Sequence, residues 1–296
     1  MEDRELEVYL GIDGGGTSCR AALGDAAGRI IGRGRSGNSN IVTDPDRALA
    51  SIVEASRAAV ADSGLDADTT FSIPTVLGLA GVNIASHAKA IASRLPFARF
   101  SLQTDTSIAL RGALGTNDGV VAILGTGSAF LAGRSGQMHQ IGGWGFIVGD
   151  QGGGARIGRQ ALEEALLAHD RIARGSALTA ALLAEFGNDP DRLVDFARKA
   201  QPADFGRFAP QVFELAGKGD DVARRIMEAQ AAFVNGSIDA ARWKGCERLC
   251  LVGGLAHLYP DHLAERHRTI LAEPLGSAVD GAVSLAVERF SKGAAA

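Results

Sequence analysis

Apolar residues in this chain come in short runs that stop at glycine. Val8 to Ile12 is one such run, ending at Asp13 and three glycines. It predicts a buried strand that enters a tight loop. Thr17 to Leu23 and Arg29 to Arg33 read as two more strands, with Asp25-Ala26-Ala27-Gly28 as the hairpin turn. Asp44-Pro45 opens a helix, because proline suits the first helical position. Leu49, Ile52, Val53, Ala59 and Val60 carry it to about Ser63. A strand over Thr75 to Leu79, a helix over Ser86 to Arg94, a strand over Arg99 to Gln103 and a helix over Thr104 to Leu114 follow.

The pattern then restarts. Val120 to Leu124 is apolar, Gly125 to Ser128 is a loop, Ala129 to Ala132 is a strand, Ser135-Gly136 turns, and Gln137 to Ile141 is a third strand. Strand, Gly-Thr loop, strand, turn, strand therefore occurs twice, with Thr17 and Ser128 at matching places. Such a repeat predicts two related domains, 1–116 and 117–277, with a boundary near Thr116-Asn117-Asp118-Gly119. The second is richer in helix: Ile157, Ala161, Leu162, Ala165 and Leu166 share one face, as do Val222, Ile226, Ala229 and Phe233. Leu249 to Val252 is a strand ending at Gly253-Gly254, and Ala278 to Phe290 is an amphipathic helix expected to pack on the first domain. The last residues, Gly293 to Ala296, are expected to fray.

Composition narrows the class of protein. With 46% hydrophobic and 22% charged residues in 296, a full core can form without disulfide support. The net charge of −4 and the lack of a basic block argue against nucleic acid. No apolar run is long enough to cross a bilayer, and Met1 to Glu7 carries no apolar leader segment, so a cytoplasmic protein is expected. Three cysteines with no Cys-x-x-Cys pair fit a reducing compartment. His257, His262 and His267 are five apart, do not stack on a helix, and read as solvated surface.

The 39 glycines cluster where chemistry is expected. Gly14, Gly15 and Gly16 in one loop and Gly125 and Gly127 in the other can offer backbone N–H groups to phosphate, with hydroxyls from Thr17, Thr126 and Ser128. Neither loop has the Walker pattern. Asp13, at a strand end, can hold Mg²⁺ through its water shell. Asp105 follows a strand and opens a helix, so it is a general base or a helix cap. Asp150 precedes the helix that contains Ile157; it caps that helix or hydrogen-bonds sugar hydroxyls, with Trp144 supplying an apolar face. Gly253-Gly254 is a turn or a seat for adenosine.

These segments resemble a known superfamily. Leu10 to Thr17, Ile123 to Ser128 and Leu251 to Gly254 are similar to the two phosphate motifs and the adenosine motif of the actin-like ATPases. Within it, the chain looks like the branch of N-acetylglucosamine kinase, bacterial glucosamine kinase and the BadF/BcrA-type ATPases, from about Val8 to about Glu288. The resemblance implies an α/β fold of two ribonuclease H-like domains, with mixed sheets flanked by helices and the active site in an interdomain cleft. It implies ATP and Mg²⁺ as cofactors and an amino sugar as substrate; a homodimer is left open. By position, Asp105 matches the catalytic aspartate; Asn40, Thr126, Gly143, Trp144 and Asp150 match sugar-site positions; Thr17 matches a γ-phosphate ligand; Gly253 and Gly254 fall in the adenosine motif. Asn38 competes with Asn40 for the sugar. Asp150-Gln151-Gly152 and Pro202 to Phe213 look like bacterial glucosamine kinase, and Gln151 stands where N-acetylglucosamine kinases carry glutamate.

The expected activity is transfer of the ATP γ-phosphate to the 6-hydroxyl of glucosamine or N-acetylglucosamine. A dehydratase-activator ATPase and a non-catalytic sugar sensor are the other readings.

Overall fold

The computed structural model describes residues 7–16 and 18–291. Thr17, expected at a γ-phosphate, lies outside them, as do the acidic segment before Glu7 and the tail expected to fray. The chain divides into two compact units: one runs up to Asn117 and resumes at Pro274, and the other is Asp118–Glu273.

In the first unit the sheet order is β3-β2-β1-β4-β5. The strands are β1 (Val8–Gly14), β2 (Cys19–Asp25), β3 (Ile30–Ser36), β4 (Thr75–Leu79) and β5 (Phe100–Thr104). β1, β2 and β3 form an antiparallel meander, whereas β4 runs parallel to β1 and β5 parallel to β4. The turn after β2 forms because Asp25 Oδ1 accepts from the N–H groups of Ala27 and Arg29, both at 2.9 Å. Helix α1 (Pro45–Asp62) starts where Asp44 accepts from the Arg47 N–H at 3.0 Å. Its buried stripe, Ala48, Ile52, Ala55 and Ala59, meets Leu10, Ile12, Leu23 and Leu77 of the sheet in one core. The short α2 (Ala85–Ala92) precedes β5, and α3 (Asp105–Leu114) follows it.

The second unit repeats the meander as β6 (Gly119–Leu124), β7 (Ser128–Arg134) and β8 (Gln137–Gly142), with β9 (Leu249–Val252) parallel to β6. Helices α4 (Gly154–His169), α5 (Ala177–Glu185), α6 (Pro190–Lys199), α7 (Pro202–Gly206), α8 (Ala209–Gly217) and α9 (Asp221–Ala241) lie between β8 and β9. A four-residue helix, α10 (Glu265–Arg268), comes after β9. Val120, Leu124 and Phe130 of the sheet share a core with Ile157, Ala161 and Leu162 of α4 and Ile226, Val234 and Ile238 of α9.

Two sequence expectations fail in this unit. Ala229 and Phe233 are exposed, not buried beside Val222 and Ile226. The buried arc of α9 is centred on Ala223, Met227, Gln230 and Val234, roughly a quarter-turn away at 3.6 residues per turn. Small residues on both arcs hid that choice. His267 is not surface either: it is fully buried, with Nδ1 3.3 Å from Arg242 Nη1 and Nε2 3.2 Å from Asp239 Oδ1. Burial is the main cause that pushes its pKa down.

Helix α11 (Ala278–Phe290) packs on the first unit, where Val279 and Val283 bury against Ala22 of β2. It crosses α3 through two glycines. A Cβ at Gly281 would sit on the Ile108 carbonyl oxygen and 2.9 Å from Gly112 Cα, and one at Gly112 would lie 2.6 Å from the Ser277 carbonyl carbon. Backbone cannot give way as a side-chain tip can. Gly281→Val is therefore expected to cost about 3 kcal/mol of stability, read as a lower urea midpoint. A midpoint equal to wild type would mean that the crossing is loose.

No helix among the described residues is long and apolar enough to cross a membrane.

Candidate active site

In the first unit the site gathers at the C-terminal ends of β1 and β5. Asp13 lies near the end of β1, before Gly15 and Gly16, where an added Cβ would meet nothing nearer than 4.0 Å. The loop after β3 is tied to this hairpin, since the Ser39 N–H donates to the Gly15 carbonyl at 3.0 Å. Asn40 lies in that loop, beyond the end of β3 at Ser36. Asn38 Oδ1 accepts from the Asn40 N–H at 2.7 Å, and Asn40 Oδ1 from the Val42 N–H at 2.9 Å. These bonds leave the Asn40 amide nitrogen on the side of Gly16, 4.0 Å from where a Cβ there would be. Each of the two competing asparagines spends its amide oxygen on the loop and keeps its amide donors, and it is Asn40 whose amide nitrogen lies beside Gly16.

Asp105 is the first residue of α3 but not its cap. Thr104 takes that role: its Oγ1 accepts from the Ser107 N–H at 3.1 Å. Asp105 Oδ1 accepts from the Thr106 N–H at 2.9 Å. Burial raises the pKa of Asp105.

Asp13 is pushed up to about 6, first by burial and further by the Asp105 charge, against the opposing pull of Arg20. That folded value stands above the ordinary 3.8. Asp13 therefore contributes stability that is full below about pH 4 and lost as pH rises through about 6. In magnesium-free buffer, wild type is expected to lose on the order of 2 kcal/mol relative to Asp13→Asn between those pH values. Thermal unfolding of both proteins from pH 4 to 7 checks this; parallel curves would mean that the fold does not raise the Asp13 pKa.

In the second unit the site forms around the β6–β7 loop. The Gly154 N–H donates to the Gly125 carbonyl at 2.8 Å, and the Ala155 N–H to the Thr126 carbonyl at 2.9 Å, so the start of α4 is bolted to the loop. Ser128 is buried, and its hydroxyl donates to the Gln151 carbonyl at 2.7 Å. Its one proton is therefore spent inside the fold rather than on a ligand. The Gly253–Gly254 turn adjoins the loop: the Leu255 N–H donates to the Leu124 carbonyl at 2.9 Å. Gly253 has φ 106, and a Cβ there would lie 2.8 Å from the Leu124 carbonyl carbon, whereas Gly254 faces open space.

Asp150 does not cap α4, whose N-cap is Gly153. It has a left-handed backbone (φ 59), and its Oδ1 accepts from the Gly145 N–H at 3.0 Å. Its carboxylate lies over Gly127, whose Cβ would come 3.0 Å from Asp150 Cγ. Burial raises its pKa. Gly143 (φ 74) and the exposed Trp144 lie in the same loop segment. Two supports of this loop were missed in the sequence. Gln230 Oε1 accepts from the Gly152 N–H at 2.6 Å, and the buried Tyr259 hydroxyl donates to the Gly152 carbonyl. Both lie far along the chain, and no local pattern marks them.

Each unit thus brings its own expected residues together: Asp13, Gly15, Gly16, Asn40 and Asp105 in one, Thr126, Gly127, Gly143, Trp144 and Asp150 in the other. Over residues 10–283 the chain matches the BadF/BadG/BcrA/BcrD ATPase family. The chain belongs to that family. Its two mixed sheets carry the expected α/β fold of two ribonuclease H-like units. Among relatives, it is 35% identical to the protein named glucosamine kinase GspK from Vibrio cholerae, over 95% of this chain and 96% of that one. It is 30% identical to N-acetyl-D-glucosamine kinase of Dictyostelium discoideum over 75% of each. A solved structure from Chromobacterium violaceum, titled "Putative N-acetylglucosamine Kinase", superposes with a TM-score of 0.89 at 31% identity, covering 95% of this chain and 99% of that one.

Among the described residues no group of three or more His, Cys, Asp or Glu side chains could hold a metal ion. Mg²⁺ does not require one, because it keeps most of its waters and uses one or two carboxylates. A half-buried carboxylate burdened by burial and by a neighbouring negative charge, as Asp13 is, suits that ion.

Proposed function

We propose that this family member transfers the γ-phosphate of ATP to the 6-hydroxyl of an amino sugar, with glucosamine as main acceptor and N-acetylglucosamine as the alternative. The observation that carries the reading is Asp105: Thr104 caps α3, so a partly desolvated carboxylate at the end of β5 is not needed as the helix cap. Such a group suits a base that orients a hydroxyl and takes its proton. In the step, the sugar 6-oxygen bonds to phosphorus, its proton passes to Asp105, and the bond from phosphorus to the β-bridging oxygen breaks to release ADP. Asp13 would hold Mg²⁺ through water; the ion supplies positive charge to the phosphates. Asn40, Thr126, Gly143, Trp144 and Asp150 would hold the sugar. Gly15 and Gly16 with Thr17 would bind phosphate on one side, Gly125 to Gly127 on the other, and Gly253-Gly254 the adenosine.

Glucosamine is favoured by the fuller and higher identity to the Vibrio cholerae protein, and by Gln151. An ATP-dependent sugar kinase belongs in the cytoplasm. The dehydratase-activator reading is disfavoured, because Cys19, Cys246 and Cys250 are all buried. Steady-state ADP release with glucosamine, N-acetylglucosamine and glucose side by side tests the proposal. Glucosamine is expected to give the largest kcat/KM; no sugar-dependent ADP release would overturn the reading.

A further inference from the structure

The row of residues that crosses the first sheet at Asp13 carries two exposed arginines that the fold engages weakly. Asp13 on β1 is paired in register with Arg20 on β2, and Arg20 with Arg35 on β3. Directly opposed residues share a face of the sheet, so all three side chains rise from the same side. Like charges directly opposite each other weaken a strand pair. Here the repulsion is hardly relieved. The Arg20 guanidinium is 4.0 Å from Asp13, the outer limit of an ion pair, and the side chain stays 54% exposed. Arg35 is exposed and has no ion-pair partner among the described residues.

Neighbouring arginines behave differently. Arg33, on the same face of β3, is held 2.9 Å from Asp280, and Arg29 is held 2.7 Å from Asp25. Arg57, Arg99 and Arg134 instead lie over the rings of Phe71, Phe290 and Trp243. Beside the glycine hairpin the acid within ion-pair range of Arg20, among the described residues, is Asp13, which Asp105 also influences. Local rules of this kind are broken chiefly at functional sites. The row sets one carboxylate against two guanidinium groups, so it can take a further anion, and a phosphoryl group fits a guanidinium fork.

We propose that Arg20 and Arg35 form a receptor for the γ-phosphoryl group of ATP, with Arg20 contacting it during transfer and Arg35 adding its charge. This rests on the kinase reading above. The charge of the transferring group lies on its three outer oxygens, and Arg20 bonds to these while remaining protonated throughout. Bond making at the sugar oxygen and bond breaking to ADP are unchanged.

The experiment compares wild type with Arg20→Met, Arg20→Lys and Arg35→Met. Turnover is read at saturating glucosamine, and titration calorimetry measures Mg²⁺ complexes of ADP and of the imido analogue of ATP. Arg20→Met is expected to lower kcat by about 100-fold or more. It should also bring analogue affinity down to that of ADP while leaving ADP and glucosamine binding unchanged. Arg20→Lys, which keeps the charge without the fork, should fall between. Arg35→Met should lower kcat less, and should raise the thermal midpoint because it removes the opposed charge. Turnover of Arg20→Met within threefold of wild type would overturn the proposal, as would equal loss of ADP and analogue binding. If wild type phosphorylates no amino sugar, the kinase reading falls by itself, and the analogue-against-ADP difference still decides the arginines.

Discussion

Asp105→Asn is expected to remove nearly all phosphorylation while leaving the sugar bound. Asparagine has the size of aspartate, and its amide oxygen can still accept from the Thr106 N–H, so α3 should start as before. What is lost is a group able to take the proton of the 6-hydroxyl. General bases of this kind contribute roughly 10²- to 10⁴-fold, and turnover in a coupled ADP-release assay should fall by that much. Glucosamine affinity by calorimetry should stay within a few-fold. The pH dependence supplies a second signature. Burial raises the Asp105 pKa, so the acid limb of the wild-type rate should lie above the ordinary carboxylate range, with activity falling as pH drops through it. That limb should vanish from any residual rate of the variant. Turnover near wild type, or an unchanged acid limb, would take the base role away from Asp105.

Gly127→Ala is expected to raise the KM for the sugar by about 10- to 100-fold, the loss of one or two hydrogen bonds to a charged group. The added methyl would occupy the place of the Asp150 carboxylate. The loop cannot shift as a body, because Gln230 and Tyr259 hold Gly152 and the Gly145 N–H holds Asp150. The carboxylate must therefore rotate out of position. Asp150→Ala should show the same rise, and the double variant little more, because both changes remove one interaction. Full additivity in this cycle, or an unchanged KM in Gly127→Ala, would separate Asp150 from sugar binding.

Much of the secondary structure was legible along the chain. Thr75–Leu79 and Ala278–Phe290 have the bounds their patterns predict, and both glycine loops end the strands that lead into them. These features rest on local causes: alternation or helical periodicity, proline at a helix start, and glycine where the chain must turn. The role of a given side chain was less legible. Asp105 and Asp150 each suit a helix cap as well as a ligand contact, and only the observed partners separate the two. Thr104 and Gly153 stand at the caps, which releases both acids. Ser128, a phosphate ligand by pattern, instead donates its proton to Gln151.

By itself the sequence determined the two meanders, the paired loops and the positions of Asp13, Asp105 and Asp150, because each follows from neighbours within a few residues. Tertiary structure decided which arc of α9 is buried, that His267 lies inside, and that Gln230 and Tyr259 support the Asp150 loop. It also decided that Arg20 and Arg35 share a row with Asp13. These depend on which groups meet across 15 to 107 positions of chain, as with Arg20 opposite Arg35 and Tyr259 on Gly152. A periodicity reports which residues avoid water, and it carries no information about the partner that each polar group finds.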